Sequence, residues 1–177
     1  MSQLIALIIA IALGAIVTAI GYVFLGDAFS NNSLKGQVQQ LINQGQQLEL
    51  AFTAYKASNG KSAYDEMIAN NVSASYANYY EETNDLLVNE NYLKSSLSKV
   101  IPMANYQMLE TNTGTRSKVL YQIDQINDDI CAEINTAAGL TPTDASSYTV
   151  NDLDRENRFI CYADQMFGWP VFAYVVE

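Results

Sequence analysis

The chain has 177 residues, of which 49% are hydrophobic, and its formal net charge at pH 7 is −10. Its nine Lys and Arg residues are scattered, whereas nucleic acids and anionic lipids are bound by clustered bases. The chain has no histidine, which excludes His-based triads and most catalytic zinc sites. It also lacks the glycine-rich phosphate-binding motifs. We therefore expect no enzyme, no cofactor and no nucleic acid as the main partner.

An uncharged apolar run, LIALIIAIALGAIVTAIGYVFLG, occupies residues 4–26. As a helix it is long enough to span a bilayer, because about 20 apolar residues cover a hydrocarbon core of ~30 Å. The first base of the chain, Lys35, follows the run, whereas a signal peptide or signal anchor usually has basic residues in front of its apolar segment. We interpret Met1 as the processed N-terminus of a precursor, and we expect the run to lie in a bilayer or in the core of a polymer.

Small residues recur every four positions within the apolar run. This spacing lets apolar helices approach closely where no water drives them together. Glycine also lowers helix propensity, by up to ~1 kcal/mol relative to Ala, so we expect the helix to loosen most easily at its glycines. The residues predicted to pack in a filament core are Ile5, Ala6, Ala10, Gly14, Ala15, Ala19 and Gly21.

An amphipathic pattern follows the apolar run. Spacings of three and four place its apolar stripe on one helix face, and Asn59-Gly60 is a helix stop. We predict one helix from about residue 2 to 58 whose second half packs against a globular head. The stripe consists of Leu34, Val38, Leu41, Gly45, Leu48, Phe52 and Tyr55. The polar residues that lie mostly off it are Lys35, Gln39, Gln40, Asn43 and Gln46.

The middle of the chain predicts short helices, a hairpin and a later helix. We interpret residues 60–100, which are rich in Asn, Ser and Tyr, as a surface-lying connection with one or two short helices. Two β-prone segments, Tyr106–Glu110 and Lys118–Ile123, surround Asn112-Thr-Gly114 and predict an antiparallel hairpin. Isoleucines at helical spacing then predict a helix capped by Asp124. They are Ile126, Ile130 and Ile134, and the helix ends at Gly139.

The C-terminal part predicts a polar loop, Thr141–Arg158, and two closing strands, Phe159–Tyr162 and Trp169–Val176. The fold class that follows is α+β: a long N-terminal α-helix, apolar in its first half and amphipathic in its second, packed on a small antiparallel β-sheet head. The predicted domains are the apolar membrane or filament-core helix 1–27, its amphipathic continuation 28–58, and the globular head 59–177.

Two cysteines, Cys131 and Cys161, lie in the hydrophilic body of the chain. Cysteine pairs in exported proteins usually form disulfides, and the apolar N-terminus indicates export. We therefore predict a disulfide from the late helix to the penultimate strand, with two buried free thiols as the alternative. Closing a loop of about 30 residues stabilises a fold by roughly 3–4 kcal/mol in the chain-entropy model.

Three weaker motifs can each be interpreted either as a functional site or as ordinary surface sequence. The carboxylates of NDLDREN, Asp152, Asp154 and Glu156, are spaced for a calcium loop but lack the EF-hand glycine and terminal glutamate, so we favour a solvated loop. Clustered tyrosines either bind sugars, contact neighbouring subunits or simply cover a polar head; they are Tyr76, Tyr79, Tyr80 and Tyr92. The glycosylation sequons at Asn31 and Asn71 are short and common motifs.

Together these features resemble a type IV pilin, and the larger b-type pilins more closely than the a-type. The resemblance rests on the apolar helix that starts at Met1, its amphipathic continuation 34–55, and Asn59-Gly60, where pilins turn into their αβ-loop. The segments around Cys131 and Cys161 are similar to those that carry the C-terminal disulfide of the family. Two features depart from it: Ile5 stands where the family usually has a glutamate that neutralises a neighbouring N-terminal amine, and the usual proline in the apolar segment is absent.

The resemblance implies a major pilin that polymerises into an extracellular type IV pilus through its hydrophobic helix. It implies the chain itself as the main partner, anchoring in the inner membrane before assembly, and contacts with the pilus assembly machinery and a prepilin peptidase. A minor pilin or a type II secretion pseudopilin is the alternative within the class. A membrane-anchored surface-binding protein that never polymerises is the alternative outside it.

Overall fold

The computed structural model describes residues 32–70, 79–113, 116–141, 145–153, 157–164 and 168–177. A long N-terminal helix, shorter helices and a four-stranded antiparallel sheet make up these residues, and the predicted α+β class is thereby confirmed. The chain divides into two units, Met1–Gly36 and Gln37–Glu177, and the sheet lies wholly in the second. The predicted domain boundaries at residues 27 and 58 stay predictions.

The amphipathic helix is present as predicted. Helix α1 covers residues 32–59 of the described part, and the stripe is buried from Val38 to Tyr55. The five polar residues predicted to lie off the stripe are exposed. Gly60, with a φ of 73°, follows the helix, and its N–H donates to the Lys56 carbonyl oxygen at 2.8 Å. Glycine adopts this left-handed conformation without steric strain, so the helix ends where the sequence predicts.

Two short helices, α2 (Ala63–Asn70) and α3 (Tyr79–Asn89), follow α1 in the chain and precede the first strand of the sheet. The prediction of short helices is confirmed, but the description of this segment as surface-lying is wrong for both helices, since α2 buries Ala63, Tyr64 and Met67. Tyr80, Thr83, Asn84 and Leu87 of α3 are buried. Because three of these four side chains are polar, the buried face of α3 is not visible as an apolar stripe in the sequence.

The sheet has the order β1-β2-β4-β3, and all neighbouring strands are antiparallel. The strands are β1 (Asn105–Thr113), β2 (Arg116–Asp124), β3 (Phe159–Ala163) and β4 (Pro170–Val175). The predicted hairpin and both closing strands are confirmed. The hairpin strands are longer than predicted, since Asn112 pairs with Ser117 and Thr113 with Arg116 in the ladder. Pairing to a partner strand thus extends β1 into the segment predicted as a turn.

Helix α4 (Asp128–Ala137) confirms the predicted late helix, but its start was misplaced. Asp124 is the last residue of β2, and Asn127 is the cap, whose side-chain oxygen accepts from the Ile130 N–H at 2.8 Å. Ile126 precedes α4; it is buried, and its N–H donates to the Pro170 carbonyl oxygen at 3.3 Å. The isoleucine spacing included Ile126 because a buried residue of a connection can match the helical period by chance.

The sheet is covered on both faces. Side chains alternate along each strand, so that Tyr121 and Tyr174 point towards α1 while Leu120 and Val175 point to the outer face. On the outer face, Leu153 is fully buried against β2, β3 and β4. The partly buried side chains that pack there with it are Leu140, Tyr148 and Val150. The segment predicted as a polar loop therefore forms a second, thin layer of the core.

Aromatic rings fill the space between α1, α3 and the inner face of the sheet. Tyr80 lies with its ring centroid 5.2 Å from that of Tyr106 and 5.6 Å from that of Tyr121. Each hydroxyl has a partner: Tyr80 donates to the Leu97 carbonyl oxygen, Tyr121 donates to the Gln44 side chain at 3.0 Å, and Tyr106 accepts from the Ile101 N–H at 2.8 Å. Burial raises the pKa of all three hydroxyls, and tyrosine can occupy this core because its polar tip stays hydrogen-bonded.

Helix α1 lies against the sheet at Gly45 without an intervening side chain. A Cβ atom at this position would overlap the ring of Tyr174 on β4. A Cβ atom at Gly36, on the same helix, would have no atom within 4 Å. Gly45 is therefore needed for its lack of a side chain, and any larger residue forces the ring or the helix to move.

We expect Gly45→Ala to lower the free energy of unfolding by about 1–3 kcal/mol through overpacking, although alanine by itself favours a helix by up to ~1 kcal/mol. Gly36→Ala is the matched control and should raise the free energy of unfolding by up to ~1 kcal/mol. Urea denaturation followed by circular dichroism measures both variants. Equal stability of the two would contradict the close approach.

Candidate functional site

The residues predicted to drive assembly lie outside the described part of the chain. These are Met1, the apolar run 4–26 and, within it, the packing residues from Ile5 to Gly21. Across the described ranges, none of the helices combines the length and the apolar character needed to cross a membrane. The sequons at Asn31 and Asn71 also lie outside these ranges.

The side of α1 that faces away from the sheet is polar and rich in amides. Gln39, Gln40, Asn43, Gln46 and Gln47 are exposed on it, and the Gln39 amide donates to the Asn43 side-chain oxygen at 3.0 Å. Leu50 interrupts this surface with a side chain that is 70% exposed. Amide side chains both donate and accept hydrogen bonds, so this face is suited to a polar contact with another surface.

A charged network fixes α1 to the last strands of the sheet. The Arg158 guanidinium donates to the Glu49 carboxylate and, at 3.1 Å, to the Val175 carbonyl oxygen. The Tyr174 hydroxyl donates to the same carboxylate at 2.9 Å. Burial first, then the hydrogen bond to Glu49 and the negative charge of that carboxylate, raise the pKa of Tyr174 to about 12. The hydroxyl therefore keeps its proton and remains a donor at physiological pH.

The carboxylate of Glu177 forms a second link to α1, close to the last turn of the helix. The Glu177 carboxylate accepts from the Lys56 ammonium and from the Ser62 hydroxyl. Ser62 in turn accepts from the Tyr64 N–H at 3.1 Å and so caps the start of α2. This chain of contacts joins the end of α1, the start of α2 and the end of the sheet.

The two cysteines form a disulfide, as predicted. Cys131 on α4 and Cys161 on β3 are bonded, with their Cα atoms 5.3 Å apart. Asn135, one turn further along α4, brackets the same strand: its amide donates to the Cys161 carbonyl oxygen at 3.1 Å and accepts from the Cys161 N–H at 2.9 Å. Since β3 is an edge strand, these bonds occupy backbone groups that would otherwise be open to pairing with another strand.

Sequence reasoning did not identify Asn135. The position carried a weak signal, since an asparagine four residues after Cys131 falls on the buried side of a predicted helix. A buried amide needs hydrogen-bond partners, and here the partners come from β3, which is distant in sequence. The strand that satisfies this amide is known only from the tertiary structure.

An open groove of about 680 Å³ lies on the outer face of the sheet, over β1 and β2 and beside the segment that carries Val150. We call it the outer groove. Its main side chains are Gln107, Leu109, Gln122, Asp124, Tyr162 and Trp169. The Gln107 amide donates to the Asp124 carboxylate, and the Gln122 amide donates to the Tyr162 hydroxyl. Gln122 and Tyr162 are buried, so the polar floor of the groove is held in place.

The surroundings of Asp124 in the outer groove shift the pKa of its carboxyl group. Its pKa is raised above the ordinary value, first by removal from water and then by the nearby negative charge of Asp164. Hydrogen bonds from Asn105 and Gln107 act in the opposite direction and offset part of this effect. The ionised form of Asp124 therefore costs free energy in the folded protein.

The described residues include only part of the remaining weak motifs. Asp152 accepts from the backbone N–H and the hydroxyl of Thr149 and so caps its own turn, while Asp154 and Glu156 lie outside the described residues. Among the described residues, no group of three or more His, Cys, Asp or Glu side chains could hold a metal ion. Of the clustered tyrosines, Tyr80 belongs to the core, and the interpretation of it as a surface residue is wrong.

Comparison of the chain with protein-family models, with curated protein sequences and with solved structures gave no match.

We expect loss of the disulfide to destabilise the head by roughly 3–4 kcal/mol, the chain-entropy value for a loop of about 30 residues. Thermal unfolding of the double variant Cys131→Ala/Cys161→Ala, compared with the wild type, measures this difference. Reductant serves as the control, because it should destabilise the wild type and leave the double variant unchanged. A wild type that is insensitive to reductant under unfolding conditions would contradict a stabilising disulfide.

We expect Asp124→Asn to be more stable than the wild type near neutral pH. The folded state keeps the Asp124 proton to a higher pH than the unfolded chain does, so wild-type stability falls as pH rises from the ordinary Asp pKa of about 3.9 through the raised folded value. The advantage of the variant should therefore vanish below about pH 3.9. Urea denaturation across this pH range measures it, and a difference that does not vary with pH would contradict the argument.

Proposed function

We propose that this chain is the structural subunit of an extracellular helical filament, a pilin of the type IV class. The observation that carries the proposal is that an apolar pattern and an amphipathic pattern follow each other in the chain. An uncharged apolar run at residues 4–26 leads into α1, which packs a single stripe onto a disulfide-bonded α+β head and leaves its other side polar. One segment thus serves the core of an assembly, and the next serves the core of the head.

Polymerisation through the apolar run is the mechanism. Burying on the order of 1,500 Å² of apolar helix gains tens of kcal/mol against water at ~25 cal/mol per Å², but a lipid bilayer already supplies that burial before assembly. The decisive contribution is therefore close packing of helices, which small residues at spacings of four permit. Ala10 and Gly14 lie at the centre of this pattern.

The head is suited to surround such a core without aggregating. Asn135 occupies the outward backbone groups of Cys161 on the edge strand β3, which disfavours edge-to-edge pairing of neighbouring heads. The polar amide side of α1 then provides a hydrogen-bonding surface for neighbouring subunits in the shell. On this proposal the partners are other copies of the chain, the inner membrane before assembly, and the assembly machinery and prepilin peptidase of a pilus system.

The proposal has to account for Ile5, which stands where the family usually has a glutamate. A buried ammonium group without a counter-charge is costly, and Ile5 offers none to the Met1 amine of a neighbouring subunit. Ser2 and Gln3 are the nearby polar side chains. In this filament, hydrogen bonds from the amine to these side chains, an interfacial position of the amine or its deprotonation takes the place of the glutamate that the family usually has.

The second candidate is a membrane-anchored surface-binding protein that does not polymerise. The outer groove favours it, because a preformed concave surface with a partly exposed tryptophan is typical of a binding protein. The two candidates differ in whether fibres form. A minor pilin or pseudopilin would differ from a major pilin in forming only short assemblies.

We expect Ala10→Leu and Gly14→Leu to reduce filament number at least tenfold, because a bulky side chain separates the packed helices. Electron microscopy of sheared surface fractions from cells that express the full chain counts the filaments. Ile8→Leu is the matched control, since it keeps the side-chain volume in the same run and should assemble normally.

The head must stay folded for this test to report on assembly. Protease resistance and an intact disulfide, measured for each variant in membrane fractions, verify that the head is folded. Normal filaments from both bulky variants would contradict helix packing as the mechanism, and a wild type that stays monomeric in membranes would favour the anchored binding protein instead.

A further inference from the structure

The outer groove is built to hold a ligand in a fixed position. Gln122 is only 5% exposed and Tyr162 is also buried, and they are joined by the hydrogen bond from the Gln122 amide to the Tyr162 hydroxyl. Gln122 projects from β2 and Tyr162 from β3, and both strands pair with β4, which lies between them. A floor built on strands loses little conformational entropy when a ligand binds.

Trp169 forms one side of the groove, and its side chain is 43% exposed. The backbone around it is fixed by two hydrogen bonds: the Asp164 N–H donates to the Trp169 carbonyl oxygen, and the Gly168 N–H donates to the Asp164 carbonyl oxygen, each at 2.8 Å. Gly168 takes a φ of 71° that favours glycine. A large aromatic surface is therefore held at the rim of a polar groove rather than packed into the core.

The charges of the groove restrict the class of ligand. Among the described residues that line it there is no Lys or Arg, while Glu110, Asp124 and Asp164 are acidic. Phosphate, sulfate and carboxylate groups are disfavoured there by like charge. A purely apolar ligand is disfavoured as well, because the groove places amides, carboxyls and a hydroxyl beside its apolar side chains. These polar groups would lose water without compensation.

A neutral polyhydroxyl ligand satisfies both restrictions. The bond from Gln107 to Asp124 uses one N–H of an amide that has two N–H donors and a carbonyl acceptor. A carboxylate has about four acceptor sites. Paired donors and acceptors of this kind match the adjacent hydroxyls of a sugar ring, and the flat apolar face of such a ring matches an indole. The volume of about 680 Å³ is within the range of small-ligand sites.

We propose that the outer groove binds a neutral oligosaccharide, with Trp169 as the stacking surface and Gln107 and Asp124 as the groups that hydrogen-bond its hydroxyls. This site is separate from the tyrosines that the sequence suggested for sugar binding. It does not depend on filament assembly, because the groove lies entirely within one head.

The chain provides its own probe, because Trp169 is its single tryptophan. The full chain is studied in a polyoxyethylene detergent, which has neither a sugar headgroup nor a cationic group that would compete. The probes are neutral di- and trisaccharides of glucose, galactose, mannose and N-acetylglucosamine. We expect at least one of them to give a saturable blue shift of the tryptophan emission, since a stacked sugar removes water from the indole.

Gln107→Ala keeps the fluorescent reporter and should weaken the binding at least tenfold. Trp169→Ala, measured by titration calorimetry, should weaken it to the same degree. The melting temperature of this variant is measured as well, to show that the head stays folded at the titration temperature. Met103→Ala is the control, since Met103 is 93% exposed outside the groove and its loss should leave binding unchanged.

Three results would overturn the proposal. The first is the absence of a saturable change with every neutral saccharide. The second is undiminished binding by both Gln107→Ala and Trp169→Ala. The third is preference for the tetramethylammonium ion over all of the saccharides, which would assign the groove to a cation held by the indole and the carboxylates.

Discussion

The fold depends on the contact between Gly45 of α1 and the ring of Tyr174 on β4. Because Gly45 has no side chain, the helix lies directly against this ring, and the hydroxyl at the far end of the ring reaches Glu49 one turn further along α1. Arg158 completes the network from the residue before β3. Apolar packing and a charged hydrogen-bond network thus hold the same strand against the same helix, and they fix the position of the inner face of the sheet.

Other parts of the head follow from that placement. Once β4 is fixed, the ladder aligns its neighbours β2 and β3. On the inner face, Tyr121 of β2 meets the rings of Tyr80 on α3 and Tyr106 on β1. On the outer face, side chains of β2, β3 and β4 form the surface that Leu153 covers in part. The uncovered remainder, over β1 and β2, is the outer groove. The groove therefore lies beside the segment that carries Val150 and Leu153.

The head also illustrates how polar residues can build a core. The rings of Tyr80, Tyr106 and Tyr121 pack against one another in the core, and each hydroxyl has a hydrogen-bond partner. Asn135 has the same role between α4 and β3, where its amide pairs with backbone groups of an edge strand. Such residues contribute apolar area while their tips stay hydrogen-bonded. A polar, acidic sequence can in this way form a well-packed domain.

The sequence by itself determined the local features of this protein. The stripe from Val38 to Tyr55, the stop at Gly60, the hairpin and the two closing strands all follow from patterns within a few residues, since helix and strand periods are local properties. Pairing of the two cysteines also followed, because the chain offers just one way to pair them. Only the tertiary structure decided the rest: that Tyr80 is buried, that Asn127 rather than Asp124 caps α4, that Asn135 brackets Cys161, and that Trp169 borders a groove. Tyr80, Asn135 and Trp169 depend on partners that are remote in sequence, and composition and periodicity do not reveal which strand or helix supplies them. Asn127 has a local partner, Ile130, but Asp124 is not the cap because β2 continues to it by pairing with the distant β1 and β4.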